Sequence, residues 1–106
     1  MDMLRAGALQ GGKTALVIDP ADNVAVVLSD IAAGETCAVR MKDRTEELTV
    51  RDNVPFGHKI AITAIAKGEP VIKYGEEIGK ATETVEKGAW VHTHNLICER
   101  GMQRGR

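Results

Sequence analysis

The run His92-Thr93-His94-Asn95 holds the densest candidate chemistry in this chain. In an extended strand, side chains alternate between faces, so His92 and His94 would point the same way with Cα atoms about 6 to 7 Å apart, at a rise of about 3.3 Å per residue. Two imidazoles so placed can converge on one ion or one anionic ligand, and neutral imidazole suits iron, manganese or zinc. The alternative is two exposed histidines that share no ligand. A two-histidine metal site is incomplete, so further ligands would come from His58, from Asp19 or from a second chain. Trp90 is expected on the face opposite the pair, in core packing or a subunit contact.

Three other positions carry usable groups. His58 and Lys59 follow Gly57, where a turn can project side chains into a cleft. Lys59 could bind a carboxylate while His58 moves a proton, or His58 could simply bond the turn backbone. Alternation places the two on opposite faces unless the turn bends the chain. Tyr74 lies between Lys73 and Gly75, and its hydroxyl could donate to a leaving group or anchor a hairpin. Lys73 and Asn95 are candidate substrate contacts. Asp22 and Asn23 are expected to build a turn, and Gly75 and Gly79 to serve backbone geometry or a close approach to a ligand.

The elements that must position these groups are short. A chain of 106 residues makes one modest domain. The segment 14–18 has the β-branched character of a buried strand, Asp19-Pro20 breaks it, and 24–28 resumes as a strand or one apolar helical turn. An apolar residue, then Gly, then an apolar residue then recur at intervals of three: Ile31-Gly34-Cys37, Val54-Gly57-Ile60, Ile65-Gly68-Val71 and Val85-Gly88-Val91. Each unit reads as a buried residue, a tight turn and a strand leaving it. Segments 37–41 and 47–51 form a ribbon around the polar tip at 42–45. No long window has helical periodicity, so the fold is expected to be mostly β, with 22–28 the best helical candidate. Residues 1–13 read as a flexible arm and 98–106 as a basic tail.

Composition narrows the function. With 14 basic against 15 acidic residues and one each of Trp, Tyr and Phe, the chain lacks the basic face and stacking aromatics of a nucleic-acid reader. Cys37 and Cys98 form no CxxC pair. No apolar run is long enough for a membrane helix, and the start of the chain has no secretory core, so a cytoplasmic protein is expected.

Four motifs in order, Asp22-Asn23-Val24-Ala25-Val26, Gly57-His58-Lys59, Ile72-Lys73-Tyr74-Gly75 with Ile78-Gly79, and Val91-His92-Thr93-His94-Asn95-Leu96, resemble the SAF domain of the altronate dehydratase family. The resemblance covers 14–97 and implies a small β-clip fold of hairpins folded over each other. It also implies one part of a hydro-lyase that dehydrates a sugar acid to a 2-keto-3-deoxy acid, with a large dehydratase subunit as partner and an anionic sugar acid as substrate. The related sulfolactate sulfo-lyase small subunit is the nearest competitor, and a non-catalytic SAF module that presents a surface is a third possibility. A divalent metal, Fe2+ or Mn2+, is expected on the same ground. The family commonly has a His where this chain has Asp19. Open β edges suit assembly with another chain or with further copies of this one.

Overall fold

The computed structural model describes residues 12–98. Among them the chain forms nine strands and no helix: β1 (Lys13–Leu16), β2 (Val24–Val27), β3 (Thr36–Arg40), β4 (Thr45–Thr49), β5 (Lys59–Ala61), β6 (Pro70–Lys73), β7 (Glu76–Ala81), β8 (Trp90–Val91) and β9 (Leu96–Ile97). The expected arm at 1–13 lies outside the described residues up to position 11, and Lys13 already belongs to β1. Of the tail, Cys98 alone is described, and it is exposed. The segment proposed as helical at 22–28 is strand β2, because its apolar residues pair with β1 on one side and β5 on the other.

A six-stranded sheet runs β4-β3-β1-β2-β5-β8, and a three-stranded sheet runs β6-β7-β9. Pairings are antiparallel except for β1 beside β3. The expected ribbon is the β3-β4 hairpin, with the second strand starting at Thr45, so Thr45 belongs to the ladder and not to the tip.

The four glycine units set the framework. Turns at 32–35, 55–58, 66–69 and 86–89 are each closed by a bond from the last N–H to the first carbonyl, at 2.9 to 3.0 Å. The third residue of each is a glycine with φ of 85 to 91°, as a type II turn requires. Each turn then grips one residue of a neighbouring strand. Gly34 N–H donates to the Val50 carbonyl at 2.7 Å, and Val50 N–H donates to the Glu35 carbonyl at 2.9 Å. Val27, Ala81 and Ala61 are held the same way by the turns of Gly57, Gly68 and Gly88.

The units also pair with one another. Ile31 and Val54 exchange backbone hydrogen bonds, and so do Ile65 and Val85, which makes the second half of the domain a compact echo of the first. Each half has its own small core. Ile31, Cys37, Val54 and Ile60 are buried in one, with Val27, Val39, Leu48 and Val50, while Ile65, Val71, Val85 and Val91 are buried in the other with Val24, Ala61 and Ala81. The apolar residues flanking each glycine are thus the core itself, which is why the motif spacing repeats.

Asp22 and Asn23 tie the halves together. Asn23 accepts from Ile72 N–H at 2.7 Å and donates to the Pro70 carbonyl at 2.9 Å, and Asp22 accepts from Gly75 N–H at 2.8 Å. Asp22 closes the expected turn onto the Asp19 carbonyl at 2.9 Å, and both residues dock the β6-β7 hairpin onto the start of β2.

The two corner glycines Gly34 and Gly88 should respond differently to alanine. A Cβ on Gly34 meets open space, so Gly34→Ala costs the left-handed penalty of about 1–2 kcal/mol. A Cβ on Gly88 would also collide with the Thr49 carbonyl oxygen, so Gly88→Ala should cost distinctly more. Urea denaturation of both variants measures the difference, and equal losses would contradict the packing described.

Candidate functional site

The Gly57 turn delivers His58 to the end of the six-stranded sheet. The His58 carbonyl accepts from Val27 N–H at 2.9 Å, and its own N–H closes the turn onto Pro55 at 3.0 Å, so its backbone is fixed at both ends. Ile60 lies opposite Trp90 in the β5-β8 ladder. Trp90 N–H donates to Asp52 Oδ2 at 2.9 Å, and its indole Nε1–H donates to His58 Nδ1 at 3.2 Å. With Nδ1 accepting, the ring hydrogen of His58 sits on Nε2, which is left free to donate.

The histidine pair is not on an extended strand. Strand β8 ends at Val91, and 92–95 is a turn closed by Asn95 N–H to the His92 carbonyl at 3.0 Å. The buried Asn95 carboxamide accepts from His92 N–H at 2.9 Å and donates to the Trp90 carbonyl at 2.9 Å. Asn95, expected as a substrate contact, therefore has its side chain engaged with backbone and positions the two histidines.

Trp90 is not on the opposite face. Its ring stacks on His92 at 5.4 Å between centroids with planes 6° apart, and it meets His94 at 5.1 Å and His58 at 5.7 Å. His58 and His92 are 4.6 Å apart. The signal was present in the parity of 90, 92 and 94, which share a face in any extended reading. The indole is the platform around which the imidazoles are arranged.

That arrangement bears on the metal expected at His92 and His94. The imidazoles surround a ring instead of a common point, and one nitrogen of His58 is already engaged. Among the described residues no group of three or more His, Cys, Asp or Glu side chains is placed to hold an ion. These residues do not make a complete metal site by themselves. Asp19, another candidate ligand, accepts from Ala21 N–H at 2.9 Å and packs beneath Gly75. It lines a groove of about 520 Å3 with Val17, Ile18, Met41 and Lys42, and none of the histidines lines that groove.

Lys59 and Lys73 complete the neighbourhood. Both are half-buried, and burial, then the Lys73 ammonium, push the Lys59 pKa below its ordinary value. His92 is also pushed down, by desolvation first and then by His58, Lys59 and His94. Tyr74 occupies the tip of the two-residue β6-β7 loop with φ 56°, followed by Gly75 at φ 78°, as a type I′ turn requires. Its side chain is exposed, with the Lys73 ammonium 4.8 Å from its ring centroid. Gly79 allows a close approach of β7 to the Ile97 carbonyl of β9.

Residues 13–99 match the family model described as the altronate/galactarate dehydratase SAF domain. The chain belongs to this family. The SAF domain is 39% identical over 88 residues to (2R)-sulfolactate sulfo-lyase subunit alpha of Chromohalobacter salexigens, covering 79% of this chain and 94% of that subunit. It is 42% identical over 64 residues to the alpha subunit of the same name from Paracoccus pantotrophus, covering 60% of this chain and 96% of that one. It is 47% identical over 74 residues to altronate dehydratase of Escherichia coli, covering 70% of this chain but 14% of that enzyme. These relatives are lyases or lyase subunits by name, and the alpha designation marks one chain of a multi-subunit enzyme.

Two measurements check the geometry of this SAF domain. Asn95→Ala removes both backbone contacts of a buried carboxamide and should cost about 1–3 kcal/mol while changing Trp90 fluorescence. An unchanged urea midpoint with unchanged emission would refute the positioning role. By NMR titration His92 should have its midpoint below the ordinary 6.5. A folded-state pKa below the unfolded one gives stability that is present above the unfolded value and lost as pH falls through it. Lys59→Gln should move the midpoint upward, and no movement would remove Lys59 from its surroundings.

Proposed function

We propose that this chain is the small, alpha-type subunit of a two-component cytoplasmic lyase that removes sulfite from (2R)-sulfolactate. What carries the reading is the extent of the similarity: it runs through 94% and 96% of two sulfo-lyase alpha subunits, against 14% of altronate dehydratase. The higher identity to that dehydratase over its matching segment supports a second reading, in which the partner is a large dehydratase subunit and the substrate an altronate-like sugar acid.

The two reactions share their first half. The proton on the carbon next to the carboxylate leaves to a base, and a carbon–carbon double bond forms as the group on the neighbouring carbon departs with its electron pair. Sulfite departs as a stable anion, whereas a hydroxyl needs a proton from a general acid. The resulting enol takes up a proton on carbon and becomes the 2-keto acid, which is pyruvate in the sulfo-lyase case.

This chain supplies one wall for such chemistry. His58 offers Nε2–H to an oxygen that gains charge, held in that orientation by Trp90. Lys59 brings positive charge, and Asn95 keeps His92 and His94 in place. The base and the enclosure that excludes water come from the large subunit. A divalent ion would stabilise the enediolate as a Lewis acid, and most of its ligands would have to come from that same partner.

The test is co-purification with the large subunit and assay of sulfite release from (2R)-sulfolactate beside dehydration of altronate and galactarate. Sulfite and pyruvate should appear with both chains together and with neither alone. Dehydration without sulfite release would favour the second reading, and turnover by this chain alone would contradict the two-component account.

A further inference from the structure

Both N–H donors of Trp90 are taken by one short segment of the first half of the domain. Strand β8 is the last strand of the six-stranded sheet, so among the described residues the Trp90 backbone has no ladder partner on its outer side. There Asp52 Oδ2 accepts from the Trp90 backbone N–H at 2.9 Å, and the Asn95 carboxamide donates to the Trp90 carbonyl. Later in the same segment, His58 Nδ1 accepts from the indole Nε1–H at 3.2 Å. The segment 52–58 thus meets the tryptophan twice, at its backbone with one end and at its side chain with the other.

That segment is fixed along its length. Arg51 N–H donates to the Gly88 carbonyl at 2.9 Å, which lays residue 51 beside the turn that leads into β8. Asn53 Oδ1 accepts from Ala33 N–H, Val54 exchanges backbone hydrogen bonds with Ile31, Phe56 N–H donates to Asp30 Oδ1 at 2.8 Å, and Gly57 and His58 grip Val27. A frame tied in this way does not follow the indole when Trp90 shifts, so the position of Trp90 decides whether Nε1–H reaches His58 Nδ1. Of the two side chains on the outer side, Asn95 belongs to the turn after Trp90 and travels with it. Asp52 belongs to the fixed segment, is half-buried, and holds the N–H through a charge-assisted bond. An imidazole whose Nδ1 accepts carries its hydrogen on Nε2, and without the indole donor the two neutral tautomers compete.

We propose that Asp52 is a positioning residue for the candidate site: with His58 it forms a two-point clamp on Trp90 that keeps the hydrogen of His58 on Nε2 and the imidazole in one orientation. The clamp is a property of this chain alone. That it serves turnover, by holding His58 ready to donate to the oxygen that gains charge, rests on the function proposed above.

The experiment follows the full chain by nitrogen NMR at alkaline pH, where imidazoles are neutral, and measures kinetics on the two-chain enzyme. In the wild type His58 should show one tautomer, with hydrogen on Nε2, and the indole N–H of Trp90, the single tryptophan, should exchange slowly with solvent. Asp52→Ala should populate the second tautomer and speed indole exchange by about tenfold, the scale of one weakened hydrogen bond. Asp52→Ser, whose shorter side chain falls short of Trp90, should do the same, and Asp52→Asn, which keeps an acceptor oxygen, should restore the wild-type pattern. Asn53→Ala removes a bond from the same segment without touching Trp90, so it should lower the thermal midpoint and leave His58 as it was. In the two-chain enzyme Asp52→Ala should lower kcat by about tenfold with KM unchanged, part of the roughly 100- to 1,000-fold that loss of a whole such donor costs.

Folded Asp52→Ala or Asp52→Ser with His58 still in one tautomer and indole exchange unchanged overturns the clamp, whatever happens to the thermal midpoint. So does an equal change in Asn53→Ala. Full kcat in a variant that has lost the His58 signature overturns its part in turnover. A lost signature in Asp52→Ala, with no sulfite release by the wild-type two-chain enzyme, supports the clamp and removes the lyase reading. Sulfite release by that enzyme, with the signature intact in Asp52→Ala, does the reverse.

Discussion

The structure depends on one backbone constraint, a tight turn whose glycine N–H and following carbonyl together grip a residue on a neighbouring strand. Its four occurrences hold Val50, Val27, Ala81 and Ala61. Each requires positive φ at the third turn residue, and each places the flanking apolar side chains in a core. With strands as short as two to six residues, regular ladders alone would leave much of the backbone without partners. The gripping turns supply those partners and fix the direction in which each strand leaves.

The candidate site lies where the repeat changes its side chains. Two of the corner turns end in Glu35 and Glu69, whose carboxylates accept from their own turn's first N–H at 2.8 Å. The turn at Gly57 ends instead in His58, and the strand leaving the Gly88 turn begins with Trp90. These two side chains bond each other and gather His92 and His94 around the indole. The same scaffold that elsewhere satisfies itself with a local carboxylate here presents an indole ringed by imidazoles. In the function proposed above, this surface is one wall of a site whose other wall belongs to a second chain.

Much of this was legible in the sequence because it is local. A turn needs its glycine at a fixed distance from the apolar residues it joins, so the four units and the all-β class could be read directly. His58, His92 and His94 do lie together, around Trp90. The extended reading of 92–95 failed because Asn95 reaches back to Trp90 and His92 and closes a turn, a choice that strand alternation does not register. Trp90 was assigned to the wrong face although its parity matched the histidines. The roles of Asp22 and Asn23 were half visible: a turn was expected, but their bonds to Pro70, Ile72 and Gly75 join segments whose approach is set by the whole fold.

The central claim is that the face carrying Trp90, the three histidines and the two lysines is one wall of an active site closed by a second subunit. Hydrogen exchange of this chain, free and bound to its large subunit, tests it most directly. The account predicts new protection at 56–59, 73–75 and 90–95, with the outer strand β4 exchanging as before. Protection confined to β3 and β4, with the indole and its histidines unaffected, would contradict it.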